Sequence, residues 1–162
     1  MTYIEFEQEI MNMTASATDA ARLRFALDTI GLLGRSAEQA ISAELTEDER
    51  RTLALIVAGV ERDSMDGLRP KLEELTNSMC KDEVRAVESH PDVTELLCAL
   101  DNLLHYADTK DPKFIGRLAV NRINSIDWAI GGSSEGYSIH DVMAAERMRS
   151  EYARQKELLG CP

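Results

Sequence analysis

Signals that start and stop helices recur along the whole chain, at spacings that suit helices joined by tight turns. The clearest start signal is Thr46 followed by Glu49, a capping box in which each side chain can bond the other's free backbone N–H. Between such signals, apolar residues recur three and four positions apart, and no segment alternates Val, Ile or Thr as a strand does. The pattern predicts an all-α, single-domain helical bundle of about seven helices over residues 1–162.

Several glycines are predicted to end helices, because glycine adopts the left-handed closing conformation at no steric cost. The helix capped by Thr18 is expected to end before Gly34 and to be followed by a short helical turn around Ala37 to Ala43. The helix that Thr46 opens is expected to stop at Gly67. The predicted apolar stripe of the earlier helix consists of Leu23, Leu27 and Ile30.

The most apolar segment, Asp92 to about Asp108, is predicted to form the central helix. Cys98 lies within this run, so a small buried side chain is expected there. Asp111 and Pro112 open the following helix, which is predicted to end at Gly131. The last helix is predicted to reopen at Ser138 and to close at Gly160. The apolar face of the central helix consists of Val93, Leu96, Leu97, Leu100, Leu103 and Leu104.

The formal net charge of −11 lies entirely in residues 1–110, which hold 11 Lys and Arg against 22 Asp and Glu. Residues 111–162 hold seven of each kind. Negative charge of this size repels nucleic acid and anionic membranes and attracts basic proteins, although it also suits a merely solubilising surface. The first ten residues carry three glutamates, and no run approaches the roughly 18 apolar residues of a membrane span, so a cytoplasmic protein is predicted.

Motifs for catalysis are missing from the sequence. It contains no HExxH pair, no GxSxG elbow and no phosphate-binding glycine loop, so no catalytic residue and no cofactor is predicted. His90, His105 and His140 lie in separate segments. If they met in space, they would form a metal site of the kind that helical bundles can host, and this leaves a metal-dependent enzyme as the alternative function.

Two features fit a protein that acts by binding. An acidic series brackets the helix that Thr46 opens, and a basic partner could dock against it. Trp128 and Tyr137 flank the glycine-rich segment GGSSEG, where an exposed aromatic would be an interface anchor, although Trp128 would equally fill the core. The predicted partner-binding residues are Glu44, Glu47, Asp48, Glu49, Glu61, Asp63, Asp66, Trp128 and Tyr137.

Three segments resemble a family of small helical bacterial proteins without established enzymatic activity, some of which occupy immunity-gene positions in polymorphic toxin loci. The similar segments are LRFALDTIGLL (Leu23 to Leu33), the helix pair from Ala99 to Ile130, and AERMRSEYARQKELL (Ala145 to Leu159), with Glu146 and Gln155 at characteristic places. The early segment departs from the family, because no Trp follows Asp28. The resemblance implies an all-helical inhibitor or binding protein and assigns no catalytic residue.

The sequence therefore predicts an immunity-type protein that neutralises a basic toxin domain by covering it with acidic helices. Carboxylates would occupy the positions that phosphates take on a basic surface, and long-range attraction would speed the encounter. A regulatory or adaptor protein with an unrelated partner remains the other binding hypothesis. Neither the partner nor the oligomeric state follows from the residues.

Overall fold

The computed structural model describes residues 1–84, 89–131 and 140–160. These residues contain seven α-helices, one short 3₁₀ helix and no strand, which confirms the predicted all-α, single-domain fold. In chain order the helices are α1 (Tyr3–Ser16), α2 (Asp19–Glu44), α3 (Glu47–Glu61), α4 (Leu68–Cys80), α5 (Pro91–Thr109), α6 (Lys113–Gly131) and α7 (Glu146–Leu159), and the 3₁₀ helix is Val142–Ala144.

Side-chain caps begin several helices where the sequence predicts them. Thr46 and Glu49 form the expected capping box at the start of α3, and Thr18 accepts a hydrogen bond from a first-turn N–H of α2. A second capping box, at Thr2, begins α1. Gly160 closes α7 in the left-handed conformation, as predicted. The Ser138 cap lies outside the described residues, but the start predicted there for the last helix is wrong, because α7 begins only at Glu146, after the 3₁₀ helix.

The two glycine stops predicted for the middle of the chain are wrong. Helix α2 continues through Gly34 to Glu44 and absorbs the short helical turn expected around Ala37, because the buried face continues through Leu33 and Ala37. Helix α3 ends at Glu61, six residues before the predicted stop. Gly67 does adopt a positive φ of 72°, but it precedes α4 instead of ending α3.

Helix α5 is central, as predicted, and packs against α2, α4 and α6. All six leucine and valine positions predicted for its apolar face are buried in one hydrophobic core. Cys98 is exposed, contrary to expectation. It lies on the outward stripe with Thr94 and Asp101, three and four residues away, so an apolar neighbourhood in sequence did not place it in the core.

Helix α2 crosses α5, α6 and α7, and α1 packs on α6 and α7. The α1–α6 crossing is close at Gly116, where an added Cβ would lie 2.2 Å from Met11 Sδ and 3.2 Å from Thr14 Oγ1. An added Cβ at Gly34 would meet no atom within 4 Å. Both glycines lie inside helices. Only Gly116 has a packing reason to lack a side chain.

These two glycines give a matched pair of stability predictions. Gly34→Ala is expected to raise the free energy of unfolding by about 0.5–1 kcal/mol, because alanine favours helix and meets no obstacle there. Gly116→Ala is expected to lower it by up to about 1 kcal/mol, because the flexible end of Met11 must move away from the methyl group, which outweighs the gain in helix propensity. Urea denaturation followed by circular dichroism measures both. Equal effects would contradict the close α1–α6 approach.

Candidate functional site

The predicted acidic residues divide between two ends of α3, which are about 21 Å apart for a helix of this length. Glu47 and Asp48 are exposed at the start of the helix, and both contact Arg51, at 3.0 and 3.3 Å. Three further acids, Glu61, Asp63 and Asp66, are exposed at its end. The series is therefore two separate patches, of which the first is partly neutralised by its own arginine.

Two members of the series make structural contacts. Glu49 is buried, and its carboxylate accepts hydrogen bonds from the Thr46 N–H at 2.9 Å and from the Ser78 hydroxyl at 2.9 Å. Glu44 is half-buried, and its two carboxylate oxygens accept from the backbone N–H of His90 at 3.0 and 3.1 Å. These contacts join α3 to α4 and the end of α2 to the start of α5.

The end of α3 has the larger net negative charge, because Glu61, Asp63 and Asp66 outnumber Arg62, whereas Arg50 and Arg51 balance the exposed acids at the start of the helix. Among the described residues, Glu61, Asp63 and Asp66 form no ion pair, and the unpaired carbonyl groups at the helix C-terminus add partial negative charge. Asp63 has a φ of 55°, a conformation that aspartate tolerates better than most residues. Leu55, which lies six residues before Glu61 in α3, is 57% exposed.

An exposed face of α3 therefore combines an apolar centre with acidic ends. Helix α3 packs mainly against α4 and the end of α2, which leaves its opposite side facing solvent. We call this side the α3 face. Its exposed residues are Glu47, Asp48, Arg50, Arg51, Ala54, Leu55 and Glu61.

Trp128 lies on the surface of α6 and is 51% exposed, so it does not fill the core. Its ring meets the His90 ring edge-on, with 4.5 Å between ring centroids. The His90 N–H also bonds Glu44. The fold therefore brings Glu44 and Trp128, two predicted residues that lie 84 positions apart in sequence, to the same histidine. Tyr137 lies outside the described residues.

The histidines do not form a shared site. His90 is the N-cap of α5, while His105 lies 15 residues later in the same helix, about 22 Å away. No single metal ion can contact both side chains. His105 stacks on Phe114, and its Nδ1 donates to the Asp101 carbonyl. In the described ranges, no three His, Cys, Asp or Glu residues are grouped so as to hold a metal ion.

The largest feature that the sequence analysis missed is a network of buried charges between α2, α6 and α7. Glu151 is only 5% exposed and receives three hydrogen bonds, two from the Arg154 guanidinium at 2.6 and 3.0 Å and one from the Gln155 amide at 3.0 Å. Arg154 also contacts Asp28 at 2.5 Å and the Thr29 hydroxyl at 2.9 Å. The network joins α7 to the middle of α2.

A second arginine lies beside this network. Arg122 Nη1 donates to Ser36 Oγ at 3.2 Å and to Ser125 Oγ at 3.4 Å, and its Nε lies 3.8 Å from Glu151, beyond hydrogen-bond distance. The Ser125 hydroxyl in turn donates to Asp92 at 2.6 Å. Arg122 and Glu151 both line a cavity of about 520 Å³.

The two arginines differ in how well they are paired. Burial lowers the pKa of the Arg122 guanidinium, and the nearby Glu151 charge only partly offsets that effect. Burial also acts on Arg154, but its hydrogen bonds to Glu151 and the charge of Asp28 raise its pKa above the ordinary value. Arg154 is therefore a fully paired structural cation, and Arg122 is not.

A signal for this network was present in the sequence. Met148, Glu151, Gln155 and Leu159 share one face of α7 at helical spacing, and all four are buried. Two polar residues on an otherwise core-facing stripe indicate a buried polar network. Their partners on α2 and α6 could not be identified, because nothing in the sequence sets which helices pack together.

Comparison with protein-family models, with curated proteins and with solved structures found no match. None of the helices in the described ranges is long and apolar enough to cross a membrane.

Proposed function

We propose that this protein acts by binding a basic protein partner through the α3 face and the adjoining acidic turn. The observation that carries the proposal is the turn after α3, where Glu61, Asp63 and Asp66 lie exposed, together with the exposed Leu55 six residues before Glu61 on the same helix. An apolar centre with charges at its rim is the usual composition of a protein interface. The charges would set the rate and the orientation of docking.

The most specific form of this proposal is immunity, in which the protein neutralises a cognate toxin domain in the cytoplasm. Support comes from the segments that resemble immunity-type proteins and from the net charge of −11. Many toxin domains that act on nucleic acid are basic, and carboxylates on the α3 face would occupy their phosphate-binding positions. Inhibition by covering such a surface needs no catalytic residue in this chain.

The product of the gene immediately upstream is the first partner to test. Binding of the purified pair, measured by biolayer interferometry, is expected to be saturable, and the complex is expected to block the partner's toxic activity in a co-expression growth assay. A basic partner without toxic activity would support the adaptor hypothesis instead. An acidic partner, or one that binds away from α3, would contradict the proposed mechanism.

Charge reversal tests the location of the interface. Glu61→Lys with Asp66→Lys is expected to slow association by about tenfold, because it removes the densest unpaired negative charge. The control is Glu38→Lys with Glu157→Lys, which changes the net charge equally at exposed sites on α2 and α7. Equal slowing in both variants would show that only the total charge matters and that the α3 face is not the docking surface.

A further inference from the structure

The cavity beside Arg122 has the size and composition of a site for a small molecule. Its volume of about 520 Å³ lies within the range of ligand pockets, and it is bounded by α2, the start of α5, α6 and the first turns of α7. Leu32, Ile126 and Ala129 form an apolar wall, while Arg122 and Ser150 supply polar groups. The position is separate from the α3 face.

Arg122 is the group in this cavity whose bonding is incomplete. Among the described residues its buried Nε has no hydrogen-bond partner, and Nη1 makes two long bonds to serine hydroxyls. Glu151 does not complete it, because the nearer carboxylate oxygen lies 3.8 Å from Nε, beyond hydrogen-bond distance. A buried guanidinium N–H without an acceptor is costly, so an anionic acceptor within reach of the Arg122 Nε would be favoured.

The surrounding charges limit which anion fits. Asp92, Glu146 and Glu151 line the cavity and balance the charges of Arg122, Arg147 and Arg154, so the lining has no net positive charge to hold a polyanion such as a nucleoside triphosphate. A guanidinium fork presents parallel donors that match one carboxylate or one phosphate monoester. The apolar wall would accept the rest of the molecule.

We propose that this cavity binds a small molecule that carries one anionic group, a carboxylate or a phosphate monoester, on an apolar body. The anionic group accepts hydrogen bonds from Arg122, and the apolar body lies against Leu32, Ile126 and Ala129. This site is independent of the proposed partner binding, so either can fail without the other.

Isothermal titration calorimetry of the full chain with benzoate, phenyl phosphate and uncharged benzyl alcohol tests the proposal. Saturable binding of benzoate or phenyl phosphate is expected, with benzyl alcohol at least about tenfold weaker because it lacks the charge. A preference between the two anions identifies the carboxylate or the phosphate as the natural group. No saturable binding of either anion up to about 10 mM would overturn the proposal.

Two variants locate the binding. Arg122→Gln is expected to weaken anion binding by about tenfold or more, whereas the matched control Arg117→Gln, an exposed arginine on the same helix, is expected to leave it unchanged. Ala129→Phe keeps Arg122 and fills the apolar side, so it is expected to abolish binding even if Arg122→Gln fails to fold. Unchanged binding in Ala129→Phe, or equal weakening in both arginine variants, would show binding elsewhere and overturn the proposal.

Discussion

Replacing Glu151 by alanine is expected to lower the free energy of unfolding by about 3–5 kcal/mol, the usual cost of removing one partner from a buried ion pair. Its carboxylate is almost fully buried and holds Arg154 through two hydrogen bonds. Without it, Arg154 keeps only the half-exposed Asp28 as a counter-charge, and Arg122 loses its nearest negative charge.

Urea denaturation of the wild-type and variant chains measures this loss. Glu157→Ala on the same helix is the control, because Glu157 is exposed and its removal should change stability by no more than about 0.5 kcal/mol. If Glu151→Ala costs no more than Glu157→Ala, solvent reaches the arginines and the network is not a buried ion pair.

Phe25→Ala is expected to cost about 3–5 kcal/mol, since Phe25 is fully buried on α2 and a truncated side chain would leave a cavity. The Arg154 guanidinium lies 5.2 Å from the centre of the Phe25 ring, so the ring also supports the buried charge network. Phe25→Leu keeps most of the volume and is expected to cost about 1.5 kcal/mol or less.

The comparison of the two Phe25 variants separates packing from the contact with Arg154. Both variants remove the aromatic ring, but only alanine leaves a large void. Similar losses of stability would show that the cation–π contact dominates, and would contradict the assignment of Phe25 to the packed core. Thermal and urea denaturation of both variants provide the measurement.

Local signals predicted the fold well where they were strong. The Thr46 and Glu49 capping box and the leucines of α5 each depend on a few neighbouring residues, so sequence spacing determined them. Gly34 misled the prediction, because a single glycine costs a helix only about 1 kcal/mol and the packing of α2 outweighs it. The predicted α2 stripe also omitted Phe25, which the structure buries completely.

The candidate sites were harder to predict, because they depend on contacts between distant helices. Arg122 and Glu151 lie on different helices, and only the packing of α6 against α7 brings them to one cavity. The meeting of Glu44 with His90 and Trp128 likewise depends on how α2, α5 and α6 cross. In contrast, the acidic turn after α3 is a local run, and it is exposed as its composition predicts.

The salt dependence of association with the basic partner tests the central claim, electrostatically steered binding, most directly. Raising the salt from about 0.05 M to 0.5 M shortens the Debye length from roughly 14 Å to 4 Å. Stopped-flow measurement should then show association slowed by about tenfold or more, with dissociation changed less. An association rate that does not respond to salt would contradict the claim and would reduce the acidic surface to a solubilising role.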